Sequence, residues 1–171
     1  MKFISIATAL SLGILTLTAS AQDGHAHASS KHEHAESKEG HASAMGQPGV
    51  AARVARTIDV DMNDAMRFTP SHIAVKKGET VKFIVKNSGK IKHEMVLGSA
   101  QELQEHAKMM QKFPEMEHAD ANQISVDPGK SGQIIWTFSK AGTFDFACLE
   151  PGHFEAGMKG QVKVATQSML D

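Results

Sequence analysis

Residues 141–164 read AGTFDFACLEPGHFEAGMKGQVKV, and their pattern decides how the rest of the chain is understood. GTFDFA before Cys148 and GQVKVAT after Met158 have the short, β-branched and aromatic character of strands, each opened by a glycine. Between them lies a loop in the frame Cys-x4-His-x4-Met, with Pro151 and Gly152 placed to turn the chain. Cys148 is the only cysteine in 171 residues. A lone thiol is either a small buried hydrophobe or a metal ligand, and the spacing around it separates the two.

The start of the chain gives the thiol a compartment. Lys2, the apolar run FISIATALSLGILTLT and the small residues Ala19, Ser20 and Ala21 have the order of a cleaved export signal over residues 1–21. The run falls short of the ~20 apolar residues that span a bilayer, so no membrane anchor is expected after cleavage. The expected location is the periplasm, an oxidising place where an unpaired thiol is best protected by a metal. Losing Lys2 leaves 17 basic against 19 acidic side chains, a formal charge of −2. That balance gives no reason to expect nucleic acid as a partner.

Residues 22–52 are rich in Ser, Ala, Gly, Glu and His and poor in bulky apolar side chains, so a disordered His-rich tail is expected. It carries His25, His27, His32, His34 and His41. The pairs His25-x-His27 and His32-x-His34 suit loose Cu(II) or Zn(II) binding, and a solubilising leader is the other reading. Removal of Gln22 would expose Asp-Gly-His as an amino-terminal Cu(II) ligand, although the cleavage pattern does not favour it.

From residue 53 to 171 a single β-rich domain is expected. RTIDVDM (56–62), SHIAVKKGETVKFIVKN (71–87), QISVDPGKSGQIIWTFS (123–139), GTFDFAC (142–148) and GQVKVAT (160–166) read as strands separated by Gly, Pro and Asn. Val81, Phe83 and Val85 face one way, and IIWTF is expected to be a central strand buried on both faces. Met62 and Met66 read as packing residues. One segment, 99–118, lacks alternation. Ser99 and Glu102 fit a capping box, and Leu103, Ala107 and Met110 recur at helical spacing, which predicts an inserted helix of about three turns.

Type 1 copper takes two imidazole nitrogens and a thiolate in a trigonal plane, with a weak axial methionine. The loop supplies Cys148, His153 and Met158, and KIKHEMVLG supplies His93 from an earlier strand. With KHEMVLG, AGTFDFAC, the Cys-x4-His-x4-Met loop and GMKGQVKV in this order, the chain resembles the cupredoxins, the family of plastocyanin and azurin, over roughly residues 55–166. The resemblance implies a Greek-key β-sandwich, equatorial ligands His93, Cys148 and His153, and an axial Met158. It also implies copper cycling between Cu(I) and Cu(II). The same loop is similar to the type 1 site of multicopper oxidases. Ala147 and Leu149, however, stand where those enzymes place histidines. An electron-transfer or binding protein is therefore expected rather than an enzyme, with Cu(I) oxidation as the enzymatic alternative.

Further copper-binding residues are expected in the helical insert: His106, Met109, Met110, Met116 and His118, since thioethers select Cu(I). Packing into the sandwich is the competing role for Met110. The signal, tail and methionine-rich insert together resemble the periplasmic copper-tolerance cupredoxins, the CopI-like group. That implies a role in copper tolerance, and a monomer is expected. The alternative is a diffusible electron carrier whose redox partner docks near His153, on a patch of Pro151, Phe154 and Ala156.

Overall fold

The computed structural model describes residues 43–114 and 120–166; residues 1–21, expected to be an export signal, residues 22–42 of the expected tail, Met116 and His118 lie outside them. The strands are β1 (Gly46–Pro48), β2 (Arg56–Asn63), β3 (Arg67–Thr69), β4 (His72–Lys76) and β5 (Thr80–Asn87). They continue with β6 (His93–Gly98), β7 (Gln123–Val126), β8 (Ser131–Phe138), β9 (Gly142–Ala147) and β10 (Lys159–Ala165). One helix, α1 (Ala100–Lys112), is inserted between β6 and β7.

The strands form two five-stranded sheets, in the orders β1-β8-β5-β2-β3 and β4-β10-β9-β6-β7. Pairing is antiparallel except for β2 with β5 and β4 with β10. Alternation explains the core. Val81, Phe83 and Val85 of β5 are fully buried, as are Trp136 and Phe138 of β8, while Phe68 and Phe146 meet edge to face at 5.0 Å between the two sheets.

Two expectations need correction. IIWTF is not covered on both faces: Ile134, Trp136 and Phe138 are buried, but Ile135 and Thr137 are only partly so. β8 has the short β1 as its outer neighbour, and an antiparallel strand there needs only one apolar face. The tail also ends earlier than residue 52. Met45 is fully buried, β1 pairs with β8 in the register Gln47↔Thr137, and Ala51–Arg53 forms a 3₁₀ turn. A three-residue strand whose partner lies some 90 positions away leaves no local periodicity to detect.

The helix follows its sequence closely. Glu102 N–H donates to Ser99 Oγ at 3.2 Å and Ser99 N–H to Glu102 Oε2 at 2.6 Å, the reciprocal capping box. Leu103, Ala107 and Met110 are buried in a second apolar cluster with Val96, Ala147 and Leu149, against which Phe154 packs. No helix among the described residues is long and apolar enough to cross a membrane.

Candidate metal centre

The strand ends bring the expected donors to one end of the sandwich. His93 opens β6, Cys148 follows the last residue of β9, and Met158 precedes β10, where Lys159 is paired with Ala147. The loop between β9 and β10 is held by its own backbone: His153 N–H donates to Glu150 O, Ala156 N–H to Gly152 O, and Met158 N–H to His153 O, each at 3.0–3.1 Å. Cys148 N–H closes it by donating to Met158 O at 3.0 Å. Gly152 has φ +85°, which a side chain would resist, and this turns the chain so that His153 returns toward Cys148.

The outcome is a cluster in which one ligand atom from each of His93, Cys148 and His153 lies within 4.8 Å of the others. His153 Nδ1 is 3.2 Å from Cys148 Sγ and 3.2 Å from His93 Nδ1. His93, Cys148 and Met158 are fully buried; His153 alone is partly exposed. Met158 shares the main core cluster with Cys148. The donor set is a soft thiol, two imidazoles and a thioether in a dry pocket, which fits copper.

Burial pushes the Cys148 thiol up to about 12, against the backbone N–H groups of Glu94 and Glu150, which lower it. Glu94 N–H donates to Sγ at 3.4 Å. Burial, and then the charge of the neighbouring His93, hold His153 below its ordinary value, so its imidazole is neutral and available as a donor at neutral pH.

Two residues around the cluster were not singled out by the sequence. Glu94 is buried in β6; its Oε1 accepts from Leu149 N–H at 2.9 Å and its Oε2 from Ser125 Oγ at 3.4 Å. Burial raises its carboxyl above the usual range while the Leu149 N–H opposes that rise. An acidic residue inside the apolar run HEMVLG was the available signal. Asp64, in the turn between β2 and β3, places Oδ1 3.2 Å from His93 Nε2. Backbone N–H bonding from Lys90 holds its carboxyl below the usual range, outweighing the effect of burial. Nothing local in DMNDAMRF marks it, because its partner is 29 residues away.

The auxiliary candidates separate. Met110 is buried in one cluster with Leu103, Ala107 and Leu149, which supports its packing role. Met109 is 44% exposed, and His106 is partly buried on the same helix. Phe154 leans onto the helical cluster instead of joining an open patch, so only Pro151 and Ala156 of that trio are exposed.

A two-sheet sandwich whose final loop brings Cys148 and His153 to His93 of β6 has the architecture of a cupredoxin. The chain belongs to the copper-binding proteins of the plastocyanin/azurin family, which it matches over residues 54–165. Its cofactor is copper. Among individual proteins it is similar to the copper-resistant cuproprotein CopI of Rubrivivax gelatinosus, 48% identical over 88% of this chain and 90% of the relative. CopI of Pseudomonas aeruginosa is 39% identical over 72% of this chain and 84% of that protein. Among solved structures, auracyanin B shares the fold with a TM-score of 0.59 at 21% identity, over 71% of this chain and 96% of that one. An auracyanin of Roseiflexus castenholzii gives 0.57 at 23%, over 66% and 98%.

Proposed function

We propose that this is an exported copper-resistance protein that holds copper in a type 1 centre of His93, Cys148, His153 and Met158. The observation that carries this reading is the convergence of the thiol and both imidazoles within 4.8 Å in a buried pocket. The similar proteins, copper-resistant cuproproteins, support the resistance role. Copper bound there supplies one-electron chemistry between Cu(I) and Cu(II).

The chain's part is to hold the donors still. Two strands and a loop tied by its own backbone fix their separation, and burial excludes water from three of the four. His153, the partly exposed donor, is the edge at which an electron enters or leaves. Ala147 and Leu149 beside the thiol offer no route to a second copper cluster, which supports a binder and electron-transfer centre rather than an oxidase. His106, Met109, Met116, His118 and the tail histidines are proposed as weaker auxiliary copper sites. The one feature favouring a diffusible carrier is the exposed rim of Pro151 and Ala156 beside His153.

Copper titration of the apoprotein, followed optically and by metal analysis, tests the assignment. Intense visible absorption that saturates at one equivalent and vanishes in Cys148→Ala is expected, together with copper sensitivity when the gene is deleted. An unchanged spectrum in that variant would overturn the centre. Sensitivity to growth conditions but not to copper would favour the carrier.

A further inference from the structure

We propose that Asp64 is a positioning residue for the copper centre: its carboxylate takes the Nε2–H of His93, aims Nδ1 at the metal, and favours Cu(II) over Cu(I). This rests on the type 1 reading above.

His93 is completely buried and its two ring nitrogens face different neighbours. Nδ1 lies 3.2 Å from His153 Nδ1, on the side of the thiol, and Nε2 lies 3.2 Å from Asp64 Oδ1. A neutral imidazole carries one N–H, and the partner of one nitrogen decides which nitrogen is left with a lone pair. An ionised carboxylate only accepts, so the proton belongs on Nε2 and the lone pair on Nδ1. The sequence could have left this contact to a neutral backbone carbonyl. It places a full charge there instead.

The carboxylate is itself held by the backbone. Lys90 N–H bonds to both of its oxygens, at 3.0 and 2.8 Å. A Cβ at Gly89 would overlap Asp64 Oδ1, so the turn at 87–90 approaches closely only because residue 89 is glycine. The turn after β2 and the turn before β6 thus meet on one side chain. A negative charge against the far side of a ligating imidazole stabilises the more positive ion. Its effect is reduced, not abolished, by solvent, since the side chain is 38% exposed.

The test compares Asp64→Asn with Asp61→Asn in the full chain. Asn at 64 keeps an oxygen for Lys90 N–H while removing the charge. Asp61 is a nearby carboxylate that accepts from Ser88 Oγ at 2.7 Å, and so controls for charge at a distance. Competition with Cu(II) and Cu(I) chelators, and redox titration, are the readouts. For Asp64→Asn, Cu(II) affinity is expected to fall roughly 10–100-fold, with a smaller change for Cu(I). Each tenfold change in their ratio raises the potential by about 59 mV. Asp64→Glu should recover most of the loss. Equal ratios in the two Asn variants would overturn the proposal while leaving the thiolate absorption, and hence the type 1 reading, intact. Loss of that absorption from the wild type would instead sink the centre itself. Should Asp64→Asn fail to fold, ¹⁵N NMR of His93 in the wild-type apoprotein decides: an Nε2–H tautomer supports the role and an Nδ1–H tautomer overturns it.

Discussion

Cys148 shows what burial does to a ligand before its metal arrives. With its thiol pushed up to about 12, the apoprotein holds a neutral S–H at pH 7, and binding as thiolate must expel that proton. Apparent copper affinity should therefore rise about tenfold per pH unit from this group alone. Calorimetry in buffers of different ionisation enthalpy should count one proton released near neutrality; none released would mean the thiolate is already formed. The sign for stability follows from the raised value. The thiol's contribution to the apoprotein is complete below its ordinary value of 9.0 and is lost as the pH climbs from there toward 12. Cys148, His153 and Met158 were legible in the sequence as candidate donors because one loop carries all three at fixed spacing. Asp64 was not, because its contact with His93 crosses strands and no local spacing records it, and Glu94 showed only as an acidic residue in an apolar run, its partners being distant in sequence.

The helix α1 was legible almost residue by residue, since its signals are local: a cap, a three-to-four-residue apolar repeat, and a proline beyond its end. The sequence did not show where the apolar face would land. It lands on the ligand loop's flanks, with Leu149 beside Cys148 and Phe154 beside His153, and Gln111 Nε2 bonds to Glu155 Oε1 at 2.6 Å. Met110→Ala should therefore cost about 2–5 kcal/mol in denaturant unfolding of the apoprotein, yet leave copper stoichiometry unchanged. A lost equivalent of Cu(I) would restore Met110 as a ligand. At the other end, Ser99→Ala should cost about 1 kcal/mol. Glu102 adds a pH signature. Burial would raise its carboxyl, but hydrogen bonds from Ser99, Ala44 and Ser43 outweigh that and hold it below 4.5. Its contribution is thus present above pH 4.5 and lost as the pH falls through the lower folded value. An acid melt of Glu102→Gln that matches the wild type would remove this account.

Across the whole molecule, stability and copper capacity should separate at residue 43. The boundary was misjudged from composition because GQP and its neighbours are small and polar, and only the long-range partner β8 makes them a strand. Met45 sits in the main core, β1 covers the outer edge of β8, and Ser43 and Ala44 reach Glu102 on the helix. Residues 43–48 thus touch both the sandwich and the insert. A chain beginning at Ser43 should unfold at the same temperature as one beginning at Gln22, because every one of these contacts survives. It should lose any copper equivalents beyond the first that the histidines at 25–41 supply. A chain beginning at Gly49 should unfold at a clearly lower temperature, since losing Met45 alone is worth about 2–5 kcal/mol. Its first copper equivalent should nonetheless bind with the same spectrum, because the donors hang from β6, β9 and β10, in the other sheet. Equal melting temperatures for the two truncations would mean that β1 adds nothing to the fold. A changed spectrum in the shorter chain would mean that β1, at the opposite edge of its sheet from the Asp64 turn, also shapes the copper centre.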